Sequence, residues 1–149
     1  MSQIEMVVEI ERPLEQVFDY LSDLRNMTGW AQGIVEAEQV TPQGVGPGTV
    51  YRIVGLLAGR RVASAIKIMH YEPRRMYTSV STIGPVVFDD RWEFTSKGDS
   101  TRVRQVTDIY ASGLLASLGV LAAKLLGKRL ADDLRRAKHL LEATVPPQP

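Results

Sequence analysis

Apolar and polar positions alternate with period two along most of this chain and give way to helical spacing in only two places. The first alternating run, Gln3 to Glu11, predicts a strand. Pro13 then opens a helix, because its fixed φ suits a first turn that needs no N–H. Val17, Phe18 and Leu21 give that helix an apolar face. A short helical piece over 23–30 follows, with Ser22 or Asp23 as its cap. Further strands are predicted over 34–41, 49–56, 60–71, 75–82, 86–95 and 101–111. Turn-forming residues separate them: 42–48, 57–59, 72–74, Gly84-Pro85 and Lys97-Gly98-Asp99. Each connection is short, so neighbouring strands should be antiparallel.

Residues 112–143 are rich in helix formers and predict one long helix, and 144–149 form a frayed tail. Residues 1–143 are expected to form a single domain. The expected fold class is α+β, a curved seven-stranded antiparallel sheet whose apolar face is covered by the last helix. A bent sheet around one helix leaves a hollow where ligands bind.

Wound at about 100° per residue, that helix places Leu130, Leu134, Ala137 and Leu141 on one face. Toward its start the same face carries the small residues Gly127, Ala123, Gly119 and Ala116, while Leu114, Leu118, Leu121 and Leu125 fall opposite. Three readings stay open. The small face leaves room for a ligand and exposes a leucine stripe. A break at Gly127 re-phases the two halves so that both leucine sets face the core. Or Leu114, Leu118, Leu121 and Leu125 form a homodimer seam.

Composition narrows the chemistry. The net charge of +1 is spread over mixed-sign surface pairs, not a basic stripe, so no nucleic-acid partner is expected. There is no cysteine, which excludes thiolate chemistry and cysteine zinc sites and fits a reducing cytoplasm. Met1 to Glu11 carries three acids and no basic segment, so it does not read as a secretory signal. The apolar run 114–127 is too short to span a membrane. His70 and His139 lack metal-ligand spacing, and no phosphate loop, dinucleotide fingerprint or nucleophile elbow occurs. No metal or cofactor is expected.

Period two aligns Phe88, Asp90, Trp92 and Phe94, and the aromatic pair turns Asp90 inward. A carboxyl in an apolar cavity is a candidate general acid or base, or an anchor for a ligand hydroxyl; alternatively it sits at the mouth paired with an arginine. His70 shares a face with Ile66 and Ile68 unless the strand kinks before Pro73. It is then a general base or polar anchor, or otherwise a satisfied surface residue. Gln105 and Thr107 alternate with Val103 and Ile109 and place polar groups beside the helix. Tyr51, Tyr77 and Tyr110 line the cavity or sit at its edges, and Trp30 closes it from below. The expected ligand-facing set is Trp30, Tyr51, Ile68, His70, Tyr77, Phe88, Asp90, Trp92, Gln105, Thr107, Ala116, Gly119 and Ala123, with Asp90 and His70 as catalytic candidates.

Several motifs occur in a telling order. They are Pro13-Leu-Glu-Gln-Val17-Phe18, Trp30 before a strand, Gly46-Pro-Gly48, Tyr71-Glu-Pro73-Arg-Arg-Met76, Trp92-Glu-Phe94, Gly98-x-x-Thr101-x-Val103 and Leu134-Arg-Arg-Ala-Lys138-His-Leu-Leu141-Glu142. Over residues 3–143 this resembles the polyketide cyclase/dehydrase, START-like and birch-pollen-allergen-like helix-grip superfamily, although Arg74 replaces a proline of its turn motif. The resemblance implies a cavity for a small hydrophobic or aromatic, lipid- or polyketide-like molecule. Its members also include aromatase/cyclases and dehydratases, which would give Asp90 or His70 a proton-transfer role. A third expectation is an interaction module that works through the leucine stripe.

Overall fold

The computed structural model of the chain describes residues 2–42, 44–113 and 119–143, with side chains of the last segment from 124 onward. Strand β1 (Ser2–Ile10) leads into helix α1 (Leu14–Ser22), a 3-10 turn (Leu24–Asn26) and helix α2 (Met27–Trp30). Strands β2 (Ile34–Gln39), β3 (Val50–Leu57), β4 (Arg60–Glu72), β5 (Met76–Ile83), β6 (Val86–Lys97) and β7 (Ser100–Ala111) follow, then helix α3 (Gly119–Ala143). One antiparallel sheet of seven strands results, in the order β1-β7-β6-β5-β4-β3-β2. The β1–β7 pairing joins the two ends of the alternating region, with Ile4 opposite Thr107 and Ile10 opposite Thr101.

Burial follows the alternation. On β7, Thr101, Val103, Gln105 and Thr107 are buried, and Arg102 between them is exposed. The outer face carries ion pairs, Arg104 with Glu5 at 2.8 Å and Arg102 with Glu9 at 3.1 Å. Such exposed pairs add little stability and keep that face in water. The inner face holds the core: Ile10, Val17, Phe18, Leu21, Tyr51, Ile68, Tyr77, Trp92, Phe94 and Val103.

Local chemistry sets the entry helices. Pro13 sits at the α1 cap with φ −62° and ψ 151°. Asp23 caps the 3-10 turn by accepting the Arg25 N–H at 3.1 Å. Thr101 Oγ1 donates to the Arg12 carbonyl at 2.9 Å and ties the β1–α1 corner to β7.

Helix α3 runs unbroken through Gly127, so the re-phasing kink does not occur. Instead Leu126 and Leu130 line a cavity, and Leu134, Ala137 and Leu141 are buried. These five recur at helical spacing and form one continuous apolar stripe. A Cβ on Gly127 would come within 3.6 Å of Ile4, so this glycine lies against β1. Leu125 points to solvent at 66% exposure. Leu114, Ala116 and Leu118 lie outside the described residues, as do the side chains of Leu121 and Ala123 and the surroundings of Gly119. The far end of α3 is fastened by Lys138, whose Nζ donates to the Glu9 carbonyl at 2.7 Å and to Glu142 at 2.6 Å. Glu142 also accepts the Glu11 N–H at 2.8 Å.

The two sides of α3 therefore differ sharply in cost. Leu134→Ala should lower the unfolding free energy by about 2–5 kcal/mol, and Leu125→Ala should change it by no more than ~0.5 kcal/mol. Urea unfolding of the two variants checks this, and comparable losses would mean that Leu125 is also packed.

Candidate functional site

Between the sheet and α3 lies a cavity of about 410 Å³. Its inner wall is β6, where Val86, Phe88, Asp90 and Trp92 face the space in succession. One end is shut by aromatic rings. Tyr77 and Trp92 stack at 5.9 Å, Trp92 and Phe94 at 6.4 Å. Phe18 from α1 meets Phe94 edge-on at 4.9 Å, and Trp30 from α2 meets Trp92 edge-on at 5.9 Å. The edge-on contacts suit the ring quadrupoles. The other end opens at the hairpin ends, where Leu56, Leu57 and Ile83 line the cavity and are 43%, 59% and 40% exposed.

The rim is latched by α3. Asp133 accepts the Gln32 N–H at 2.9 Å, and Arg129 Nη2 donates to the Gln32 carbonyl. All three residues line the cavity. The neighbouring Gly33 has φ +81°, and a Cβ there would meet Arg129 Nη2 at 2.6 Å. The positive φ favours glycine here, and any side chain would also have to push the Arg129 guanidinium aside. Burial raises the Asp133 carboxyl, against the lowering effect of the Gln32 N–H and Arg129.

One polar cluster interrupts the apolar wall. Asp90 stands in register between Ser79 of β5 and Thr107 of β7. Thr107 Oγ1 donates to Asp90 Oδ1, and Gln105 Nε2 approaches the same oxygen at 3.5 Å. No described arginine or lysine forms an ion pair with Asp90, so the arginine-paired reading of this residue fails. Burial pushes its carboxyl above the usual aspartate range. The bonds from Thr107 and Gln105 oppose the rise, and the carboxylates of Asp89 and Asp108 add to it. Tyr77 is fully enclosed; burial, then Asp90, drives its phenol well up. Its hydroxyl donates to the Leu21 carbonyl at 3.1 Å.

Seven sequence-predicted residues line the cavity together: Trp30, Tyr77, Phe88, Asp90, Trp92, Gln105 and Thr107. Three do not. Tyr51 and Ile68 are completely buried in the core cluster instead. Burial, followed by the nearby Asp23 carboxylate, raises the Tyr51 phenol to about 12. His70 is displaced by a β-bulge. Ile68 pairs with Ser79 and His70 with Thr78, so Met69 is an extra residue that reverses the alternation. His70 therefore turns outward, and Tyr71 turns inward against Phe18 at 5.7 Å. His70 instead lines an open outer cleft with Glu72, Arg75, Arg91 and Glu93. Tyr110 is also outward and exposed. Of the small residues expected beside the ligand, Ala116 and the side chain of Ala123 lie outside the described set, as does any contact of Gly119. Among the described residues, no cluster of three or more acidic or histidine side chains is placed to hold a metal, and no helix is long and apolar enough to cross a membrane.

The sequence reading missed Ser79 and Ser81, which follow Tyr77 at period two and share its inward face. It also missed Leu126, Leu130 and the Arg129–Asp133 latch. The i, i+4 spacing of the latch pair beside the leucine stripe was the available signal.

The elevated Asp90 carboxyl has a definite effect on stability. A folded value above the unfolded one means that the native state holds the proton more tightly. Stability therefore declines as pH rises from the ordinary value of about 3.9 through the folded value, and levels off beyond it. Asp90→Asn should remove that decline, so its stability relative to wild type improves as pH rises from about 3.9 through the folded value and stays constant above it. Urea unfolding across the range tests this; a constant offset between the two proteins contradicts it.

Similarity to known proteins agrees with this architecture. The Zhui aromatase/cyclase from Streptomyces sp. R1128 superposes with a TM-score of 0.82 at 14% identity, over 98% of this chain and 96% of that one. A protein from Thermus thermophilus gives 0.78 at 19%, over 95% and 98%. A START superfamily protein from Mycobacterium smegmatis gives 0.73 at 17%, over 93% and 98%. No curated protein matches the chain in sequence. The sequence profile described as polyketide cyclase / dehydrase and lipid transport matches residues 1–142. The helix-grip architecture and this match together make the chain a member of the polyketide cyclase/dehydrase and lipid transport family.

Proposed function

We propose that this protein binds a small hydrophobic or aromatic molecule in the cavity between the sheet and α3. The observation that carries the reading is an apolar cavity of about 410 Å³ that is closed by aromatic rings at one end and open at the other. That volume lies within the usual range of ligand pockets, about 300–1,000 Å³. Its walls supply Phe88, Trp92, Ile53 and Leu130 for apolar contact, and one polar cluster at Asp90 for orientation. Family membership supports the same use of the fold, and the ligand comes from the site itself.

Native mass spectrometry and thermal shift with flavonoids, polycyclic phenols and polyketide-like chains test this. A ligand at a hundredfold excess over its Kd adds ~2.7 kcal/mol, which raises Tm by several degrees. Ser81→Trp, which fills the cavity from β5, should abolish the shift while the variant stays folded by circular dichroism. A full panel without response, or an unchanged response in Ser81→Trp, overturns the reading.

A second reading rests on the buried Asp90 carboxyl with its raised proton affinity, the property required of a general acid or base. In that case the protein cyclises or dehydrates a polyketide-like chain held in the same cavity. Asp90→Asn should then slow turnover by ~10²-fold or more, and unchanged turnover removes this reading.

A further inference from the structure

We infer that the cavity selects its ligand by charge, taking a neutral aromatic or polycyclic molecule with its hydroxyl or carbonyl oxygen inward and discriminating against a carboxylate. The inference rests on the ligand-binding reading above and adds the class of ligand and its orientation.

The inner polar cluster consists of two hydroxyls, one amide and one carboxyl: Ser79, Thr107, Gln105 and Asp90. No described cation lies among them. The acidic groups that act on Asp90 are Asp89 on its own strand and Asp108 on β7, and the Tyr77 phenol stands beside it on β5. The cationic residue that lines the cavity is Arg129, at the rim, where it is bonded to the Gln32 carbonyl beside Asp133. The residues outside the described set add no basic side chain: 1, 43, 114–123 and 144–149 contain no lysine, arginine or histidine.

A carboxylate carried inward would lose its water and find only neutral donors in return, next to an acid. Burying an unpaired charge in such surroundings is strongly unfavourable. Entering with its apolar end first would set hydrocarbon against the Asp90 carboxyl, whose bonds from Thr107 and Gln105 both go to Oδ1, at a cost for the oxygen left facing it. A hydroxyl meets neither difficulty. It donates to Asp90 when that group is ionised and accepts from it when protonated. A carbonyl accepts from Gln105 or Ser79 by the same logic. The apolar remainder of the molecule then reaches the exposed leucines and Ile83 at the opening.

Four rigid probes of one shape separate the possibilities: naphthalene, 2-naphthol, 2-naphthoate and 2-naphthylmethylammonium. Titration near neutral pH, followed by quenching of Trp30 and Trp92 fluorescence, gives each Kd. The expected order is 2-naphthol tightest, naphthalene weaker, and 2-naphthoate at least ~10-fold weaker than 2-naphthol, one decade being the smallest convincing difference. In Asp90→Asn, and in Asp90→Ser as a second way of removing the charge, the gap between naphthol and naphthoate should narrow. Equal binding of naphthol and naphthoate by the wild type, or an unchanged gap in both variants, overturns the selection while leaving a binding cavity intact. Tightest binding of the ammonium probe overturns it as well, since the site would then be an ion-pair site. Failure of naphthalene and naphthol alike sinks the cavity reading, and this inference with it.

Discussion

The concave face of a bent seven-stranded sheet cannot remain in water, and everything else in this molecule follows from how it is covered. One helix supplies most of the cover. Leu134, Ala137 and Leu141 pack fully against the core, and the Lys138–Glu142 group pins that end of α3 to β1. Further up the helix, Leu126 and Leu130 face open space. The cavity is thus the portion of the concave face that the helix spans but does not fill. The aromatic rings of β5 and β6, with Phe18 and Trp30 laid edge-on against them, decide where filled core stops and cavity begins.

Asp90 lies close to that boundary, one inward position before Trp92. A few residues nearer the opening it would be hydrated; two residues farther in it would occupy the aromatic core. In its actual place it is buried beside Thr107 and Gln105 and has no counter-charge among the described residues. Unsupported buried polar groups cost stability, so a set partly satisfied within the protein is best completed by something from outside. The group whose charged form weakens the protein is also the one that interrupts the apolar wall of the cavity.

Much of this was legible from alternation alone. Strict period two across β6 and β7 placed Phe88, Asp90, Trp92, Gln105 and Thr107 correctly, because long regular strands transmit face identity over many residues. The three failures, His70 and Ile68 on β4 and Tyr51 on β3, have two physical causes. At His70 a single extra residue reversed the faces, and nothing in Ile68-Met69-His70-Tyr71 distinguishes a bulged strand from a regular one. At Tyr51 and Ile68 the face was right but the depth was wrong, since periodicity says which way a side chain points and not what lies over it. The 3-10 turn that brings Leu24 over Tyr51 is a tertiary fact. On α3, small residues drew attention to the face, while the residues that shape the cavity are the larger Leu126 and Leu130 in the same stripe.

The bonds that Asp133 and Arg129 make to the two sides of Gln32 tie α3 to the segment between α2 and β2, on the wall of the cavity. Two proteins with the same sheet but different residues at 129 and 133 would hold this wall of the cavity differently, because both side chains line it and bond to Gln32.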